Sequence, residues 1–485
     1  MSSISKFISR FFSSEKQKAI KHWQFKDDLE KADLGDEFIQ LKIDILSKYG
    51  VENIRKAWLS VTSALEAEAQ TIKKQGASVW PEVNYVDIEN ATVSKDILDA
   101  IHRTGIVIIR NVLPQTQATE LGEELAKYLH ENPTVIEGKV EICLVLYITK
   151  MSSFTGLPKQ NPWLYRSYFS PTQNTVRTHT NSIKVHRFLN ELWEGYDGER
   201  AHPTPLSYAD ALRYRQPGGF SAVLQPHIDA GSLDRWADDE YQTFYSKIFE
   251  NKWQDHKPFD IEARLKVNQA KFPGPHQSTV LRTFQGWTAL SPSGGSFGQS
   301  ALAVFPNVTL GIAYVLLRSF FKPPANGSTD PNLWELDISD SFPGAAKGLS
   351  QRISPSTHPH LRFNETLSLT PQINPGDLVF WHPDIIHAVD PTLNSDKPAT
   401  VLYIPSVPLT KYNLDYVKRQ RDAFLDNGKT PPDFQEWFVQ NEGVAKGWKP
   451  VQDFAQNSEA RQSLGLEKLT GDFDIVKTAN KILGL

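Results

Sequence analysis

The chain has 485 residues, 40% of them hydrophobic and 22% charged, with 52 Lys and Arg against 56 Asp and Glu for a net charge of −4. That balance is ordinary for a globular protein and excludes pervasive disorder; without a basic excess, neither nucleic acid nor a membrane surface is an expected partner, which leaves a small molecule. The single cysteine, Cys143, excludes an intrachain disulfide and a cysteine-built zinc or iron–sulfur centre, and suits a reducing, cytoplasmic location.

Residues 1–14 are Ser-rich and basic without acids but lack the apolar segment of a secretory signal, so a frayed terminus and a transit signal both fit. Residues 15–75 carry few Gly or Pro, and Phe38, Leu41, Ile45 and Leu46 recur at helical spacing. A helical section is therefore expected over 1–100. Residues 104–114 read as a buried strand closed by Pro114, and 115–130 return to helical spacing. Cys143 lies in the apolar run 142–148, where a small buried hydrophobe is expected rather than a nucleophile.

From about 205 to 408 the texture changes to short β-rich runs broken by Gly, Pro, Asn and Ser: 211–217, 282–290, 301–306, 311–318, 367–370, 378–381 and 399–405. Many short strands with turn punctuation predict a sandwich or jelly roll within a core spanning 101–408. The segment 233–272, rich in Trp and charged residues, interrupts that rhythm and reads either as a solvated helical excursion or as a lid. Residues 322–331 and 350–360 read as exposed loops, and 409–485 as a helical section that packs on the core or forms a homodimer contact. No stretch approaches the length of a membrane span; the longest apolar run, 310–317, is strand-sized.

His227 and Asp229 stand at i and i+2, where a strand-like run gives way to a turn, and extended backbone projects such a pair to one side. Far downstream, Pro375-Gly376-Asp377 is a turn signal leading into an apolar run, followed by His382 and His387. Two imidazoles and one carboxylate match the ligand set that caps one face of non-haem Fe(II) and leaves the other positions open. His382 and the pair His358 and His360 compete with His387 as the distal ligand.

His227-x-Asp229, the run Gln285-Gly-Trp-Thr-Ala-Leu290, the run Ala301-Leu-Ala-Val-Phe-Pro306, and Gly376-Asp377-x-Val-x-Trp before His387 together resemble the Fe(II)/2-oxoglutarate-dependent oxygenases. More narrowly, nearly the whole chain resembles the phytanoyl-dioxygenase-like branch and an uncharacterised microbial and fungal family with a long lid insertion. The resemblance implies an α+β fold built on a double-stranded β-helix, a cupin-like jelly roll with flanking helices. It also implies iron ligation by His227, Asp229 and His387, and Fe(II), 2-oxoglutarate and O2 as the reacting groups. Relatives hold the far carboxylate of 2-oxoglutarate with an arginine about ten residues past the distal histidine; here that neighbourhood offers Lys397 and no arginine. Arg213 and Arg215, which share one strand face, and Arg282 and Arg318 near strand ends, are the other candidates.

An arginine pair beyond what 2-oxoglutarate needs suits a carboxylate-bearing substrate. Some fungal members of the resembled group look like tailoring enzymes that oxidise amino acids or their derivatives by hydroxylation or ring closure, so the resemblance implies an amino-acid-like metabolite oxidised at an unactivated C–H in secondary metabolism. Tyr165, Tyr168 and Trp236 are candidate pocket aromatics. Two other classes compete: a cupin-like, non-oxidative metal enzyme using the same ligands, and a metal-free jelly-roll binding protein.

Overall fold

The computed structural model describes residues 34–136, 164–218, 225–229, 231–274, 278–435 and 441–485. The readings of residues 1–14 and of Cys143 with its apolar run lie outside these.

The fold is mixed α+β with several sheets. Helices Asp36–Tyr49 and Val51–Gln75 form as the spacing of Phe38, Ile45 and Leu46 predicts, parted by Gly50, whose φ of 88° breaks the helical path. The stripe Ile54, Trp58, Val61, Leu65 and Ile72 buries the second helix, with Trp58 stacked 4.7 Å from the Phe321 ring. Ser94 accepts from the Ile97 amide to start helix Lys95–Thr104, and Gly105 in the left-handed region ends it. The chain then enters strand Ile106–Arg110, whose first four residues are apolar and buried.

A seven-stranded sheet runs in the order Glu82–Asn84, Ile106–Arg110, Leu378–Trp381, Gln285–Ala289, Ala399–Tyr403, Leu212–Arg215 and Leu164–Tyr165, antiparallel except for its first pair. A five-stranded antiparallel sheet runs Gln351–Arg352, His227–Ile228, His387–Val389, Leu302–Val304 and Ser368–Leu369. Alternation decides what each face of the smaller sheet meets. Ile228, Ala303 and Ala388 pack among the N-terminal helices, whereas Leu302, Val304 and Val389 join the core of the larger sheet. His227 and His387 share that second face.

Two readings of the β region are corrected. Residues 311–318 form no strand: helix Val308–Arg318 starts where the Asn307 side chain accepts from the Leu310 amide, and it is buried all round. An apolar run of that length without alternation does not distinguish a buried strand from a buried helix. The 350–360 stretch is not an exposed loop either, since Ser350, Ser354, Thr357 and His358 are buried.

The 233–272 segment is not a solvated excursion. It folds into short helices whose Trp236, Tyr241, Tyr245 and Phe249 enter the core shared with the N-terminal helices, while Phe259 and Ile261 reach the other core. Its composition misleads because its many exposed charged residues mask three buried ones, Asp234, Arg235 and Arg264. At the C-terminal end, helices Lys411–Leu425 and Asp474–Leu483 pack Leu414, Val417, Ile475 and Ala479 against Leu206 and Val280. Among the described residues no helix is long and apolar enough to cross a membrane.

Candidate metal centre

His227 and His387 are direct cross-strand partners, which brings their ring centroids to 4.3 Å. Asp229 lies two residues beyond His227, just past the strand end, and so returns to the same side. Its Oδ1 is 3.2 Å from His227 Nε2, and its Oδ2 is 3.3 Å from His387 Nε2. One donor atom from each residue lies within 4.8 Å of the others. This is the one such grouping of His, Cys, Asp or Glu among the described residues.

Both imidazoles are oriented by their own backbone. His227 Nδ1 is 2.5 Å from the Gln225 carbonyl and His387 Nδ1 is 3.0 Å from the Ile385 carbonyl. A carbonyl only accepts, so Nδ1 carries the proton in each neutral ring and Nε2 turns its lone pair to the centre, as a metal ligand requires. The carboxylate is held from outside by two further donors: Gln285 Nε2 reaches Asp229 Oδ2 at 2.7 Å, and Ser350 Oγ reaches Oδ1 at 3.2 Å. The histidines are buried while the Asp229 side chain is 30% exposed, so the centre is closed behind and open on the carboxylate's side.

Burial disfavours the charged form of all three groups, but their mutual attraction outweighs it for two. Asp229 is held well below the usual carboxylate range by the two imidazoles, and His227 is raised by Asp229. His387 is lowered, by burial and by the neighbouring His227. Two nitrogens and a carboxylate oxygen, converged and oriented from behind, fit a first-row divalent cation.

Register places the basic candidates. Cross-strand partners point to the same side of a sheet. Gln285 pairs with Trp381 and Trp287 with Val379 and Tyr403; Ala289 pairs with Val401, which pairs with Arg213; Ala399 pairs with Arg215. Gln285 reaches Asp229, and the Trp381 ring lies 5.1 Å from His387, so this face is turned toward the centre. Arg213 and Arg215 therefore both face it. Arg215 is used internally, donating to Ser300 Oγ at 3.1 Å and to the Asp390 and Pro391 carbonyls at 2.8 and 2.9 Å; burial and then Arg213 push it down to about 10. Arg213 is 2% exposed and has no hydrogen bond or ion pair among the described residues; burial lowers its pKa.

The other candidates fall elsewhere. Lys397 is exposed in a turn, where its own amide donates to Ser395 Oγ. Arg318 ends the buried helix among the N-terminal elements, donating to the Thr357 and Phe321 carbonyls at 2.6 Å each and lying over the Trp334 ring. Arg282, half-buried, has Asp210 and Asp433 as its electrostatic neighbours. The rival histidines are structural. His382 stacks on Trp193 and bonds the Pro258 carbonyl, and His358 and His360 pack against Tyr314. Trp236 and Tyr168 are core rather than pocket residues, while Tyr165 is half-buried against Tyr214. The sequence alone does not reveal the roles of Gln285 and Ser350: pairing parity with Trp381 identifies the first, and no local signal marks the second.

A profile described as Gig2-like matches residues 32–466. The Escherichia coli K12 protein YbiU, described as uncharacterized, is 30% identical over 465 residues, 95% of this chain and 96% of that one. The crystal structure of GlcNAc Inducible Gene 2 from Candida albicans superposes with a TM-score of 0.79 at 26% identity, covering 93% of this chain and 95% of that one. The hypothetical protein JW0805 from Escherichia coli superposes with a TM-score of 0.71 at 28% identity, covering 91% and 100%.

Proposed function

The chain belongs to the Gig2-like family, and on that footing we propose that it is an Fe(II)- and 2-oxoglutarate-dependent oxygenase with a double-stranded β-helix core, acting on an unactivated C–H of a small, amino-acid-like molecule. The observation that carries this reading is the convergence of His227, Asp229 and His387 within 4.8 Å, faced by a buried arginine, Arg213, that makes no hydrogen bond or ion pair among the described residues. Leaving a buried charge unpaired is costly, and a ligand carboxylate removes that cost.

Bound at the triad, ferrous iron with 2-oxoglutarate and O2 supplies a two-electron oxidation that no protein side chain supplies. The balance is 2-oxoglutarate plus O2 plus R–H giving succinate, CO2 and R–OH, with one oxygen atom in succinate and one in the product. The chain's own residues bind, orient and exclude water. Gln285 and Ser350 fix the Asp229 carboxylate, and the two carbonyl contacts fix the imidazole tautomers. Arg213 neutralises the far carboxylate of the cosubstrate, and Trp287, Val401 and Trp381 on the same face keep water away.

The test is succinate formation from 2-oxoglutarate by the Fe(II)-loaded protein across a panel of amino-acid-like compounds. We expect succinate in step with O2 consumption, its loss in Asp229→Ala, and loss of saturation by 2-oxoglutarate in Arg213→Leu. Undiminished succinate formation by Asp229→Ala overturns the reading.

A further inference from the structure

Behind the triad lies a fully buried cluster of two cations and one anion. Asp384 stands in the turn between strands Leu378–Trp381 and His387–Val389, three residues ahead of His387, and is 1% exposed. Arg264 grips it with both terminal nitrogens, at 3.0 and 3.2 Å, and Arg235 approaches at 3.5 Å. Both arginines come from the 233–272 segment and are 2% and 1% exposed. Arg264 also donates to the Tyr245 hydroxyl at 3.2 Å and lies over the Tyr241 and Phe244 rings. The Asp384 amide donates to His382 Nδ1 at 3.1 Å, so the turn itself is pinned.

Arg235 connects this cluster to the other end of the triad. Its Nη1 donates to the Gly231 carbonyl at 2.7 Å and its Nη2 to the Asp229 carbonyl at 3.4 Å. The strand bearing His227 ends at Ile228, so Asp229 has no ladder to hold its backbone. One planar cation thus ties the backbone of one ligand to a carboxylate three residues from another.

We infer that Arg235, Asp384 and Arg264 form a positioning strut that sets Asp229 against His387, making the 233–272 segment the back wall of the metal centre. The inference rests on the metal reading above. Arg235 and Arg264 touch no reacting atom; they act through the ligands' backbone, where a displacement of a few tenths of an ångström alters the ligand field.

Co(II) is the probe, because its visible absorption reports ligand geometry independently of turnover. Arg235→Met is the variant of choice, since it leaves Arg264 and Asp384 as a neutral pair. We expect a Co(II) affinity 10- to 100-fold weaker than wild type, an altered visible spectrum at saturation, a metal-free melting temperature close to wild type, and partial recovery in Arg235→Lys. Where Arg235→Met does not fold, Arg235→Gln is held to the same criteria. A variant with wild-type affinity and spectrum overturns the strut while leaving the metal centre standing. A wild-type protein that takes up no Co(II) overturns both.

Discussion

Asp229 offers a carboxylate whose two oxygens are each fixed from outside, by Gln285 and by Ser350. Support of this kind is worth about 10- to 100-fold in metal affinity. Gln285→Leu is therefore expected to weaken Fe(II) or Co(II) binding by that factor with the fold intact, as titration would read. Arg213 makes the opposite kind of prediction. Because it makes no ion pair or hydrogen bond among the described residues, with Tyr403 and Asp390 acting on it only at longer range, Arg213→Leu is expected to stabilise the cosubstrate-free protein by on the order of 1 kcal/mol while abolishing saturable 2-oxoglutarate binding. A variant that melts lower and still saturates would show that the guanidinium serves the fold. The spacing of His227 and Asp229 is open in the sequence because a period of two is a local property. That His387 rather than His382 completes the set depends on cross-strand pairing, which leaves no local trace. The same holds for the placement of Arg213 on the face turned toward the triad and for Ser350.

Strands here are short, and the turns between them fix the register on which the site depends. Gly376 has a φ of 90°, and its carbonyl accepts from the amides of Val112 and Leu113; a Cβ there would lie 2.3 Å from the Leu113 carbonyl oxygen. Gly376→Ala is expected to cost about 1–3 kcal/mol, read as a lower denaturation midpoint. Asp377 beside it accepts from Arg110 Nη1 at 2.7 Å and from the Asn111 amide at 3.0 Å, so the turn signal marks a structural staple. Elements with alternation or a turn at each end, such as Gln285–Ala289 and Leu378–Trp381, are plain in the sequence. Helix Val308–Arg318 is not, because burial on every side erases periodicity. The 233–272 segment misleads for a related reason: Arg235 and Arg264 look solvated until Asp384, from a distant turn, is brought between them.

Across the protein, buried histidines set the response to acid. Burial pushes His186, His256 and His360 down to about 4, and His382 to about 3. The unfolded chain takes up these protons near pH 6.5 whereas the folded one does not. The folded state therefore loses stability as pH falls from about 6.5 toward 4, by about 1.4 kcal/mol per resisting group per pH unit. Asp210 and Asp234, lifted by burial to about 6, act in the other direction and offset part of the loss. Asp384, burial opposing but Arg264 holding it far below the usual range, adds its own loss below about pH 4. A melting temperature that falls steadily between pH 6.5 and 4 is expected, and a flat profile would contradict the neutral, buried state of these rings.

The measurement that bears most directly on the metal centre is anaerobic addition of Fe(II) and then 2-oxoglutarate to the metal-free protein, with Asp229→Ala in parallel, followed by visible absorption. A charge-transfer band that needs both additions and is absent from the variant is the predicted result. Iron uptake without a band would contradict the 2-oxoglutarate reading, and failure of the wild-type protein to take up iron would contradict the centre itself.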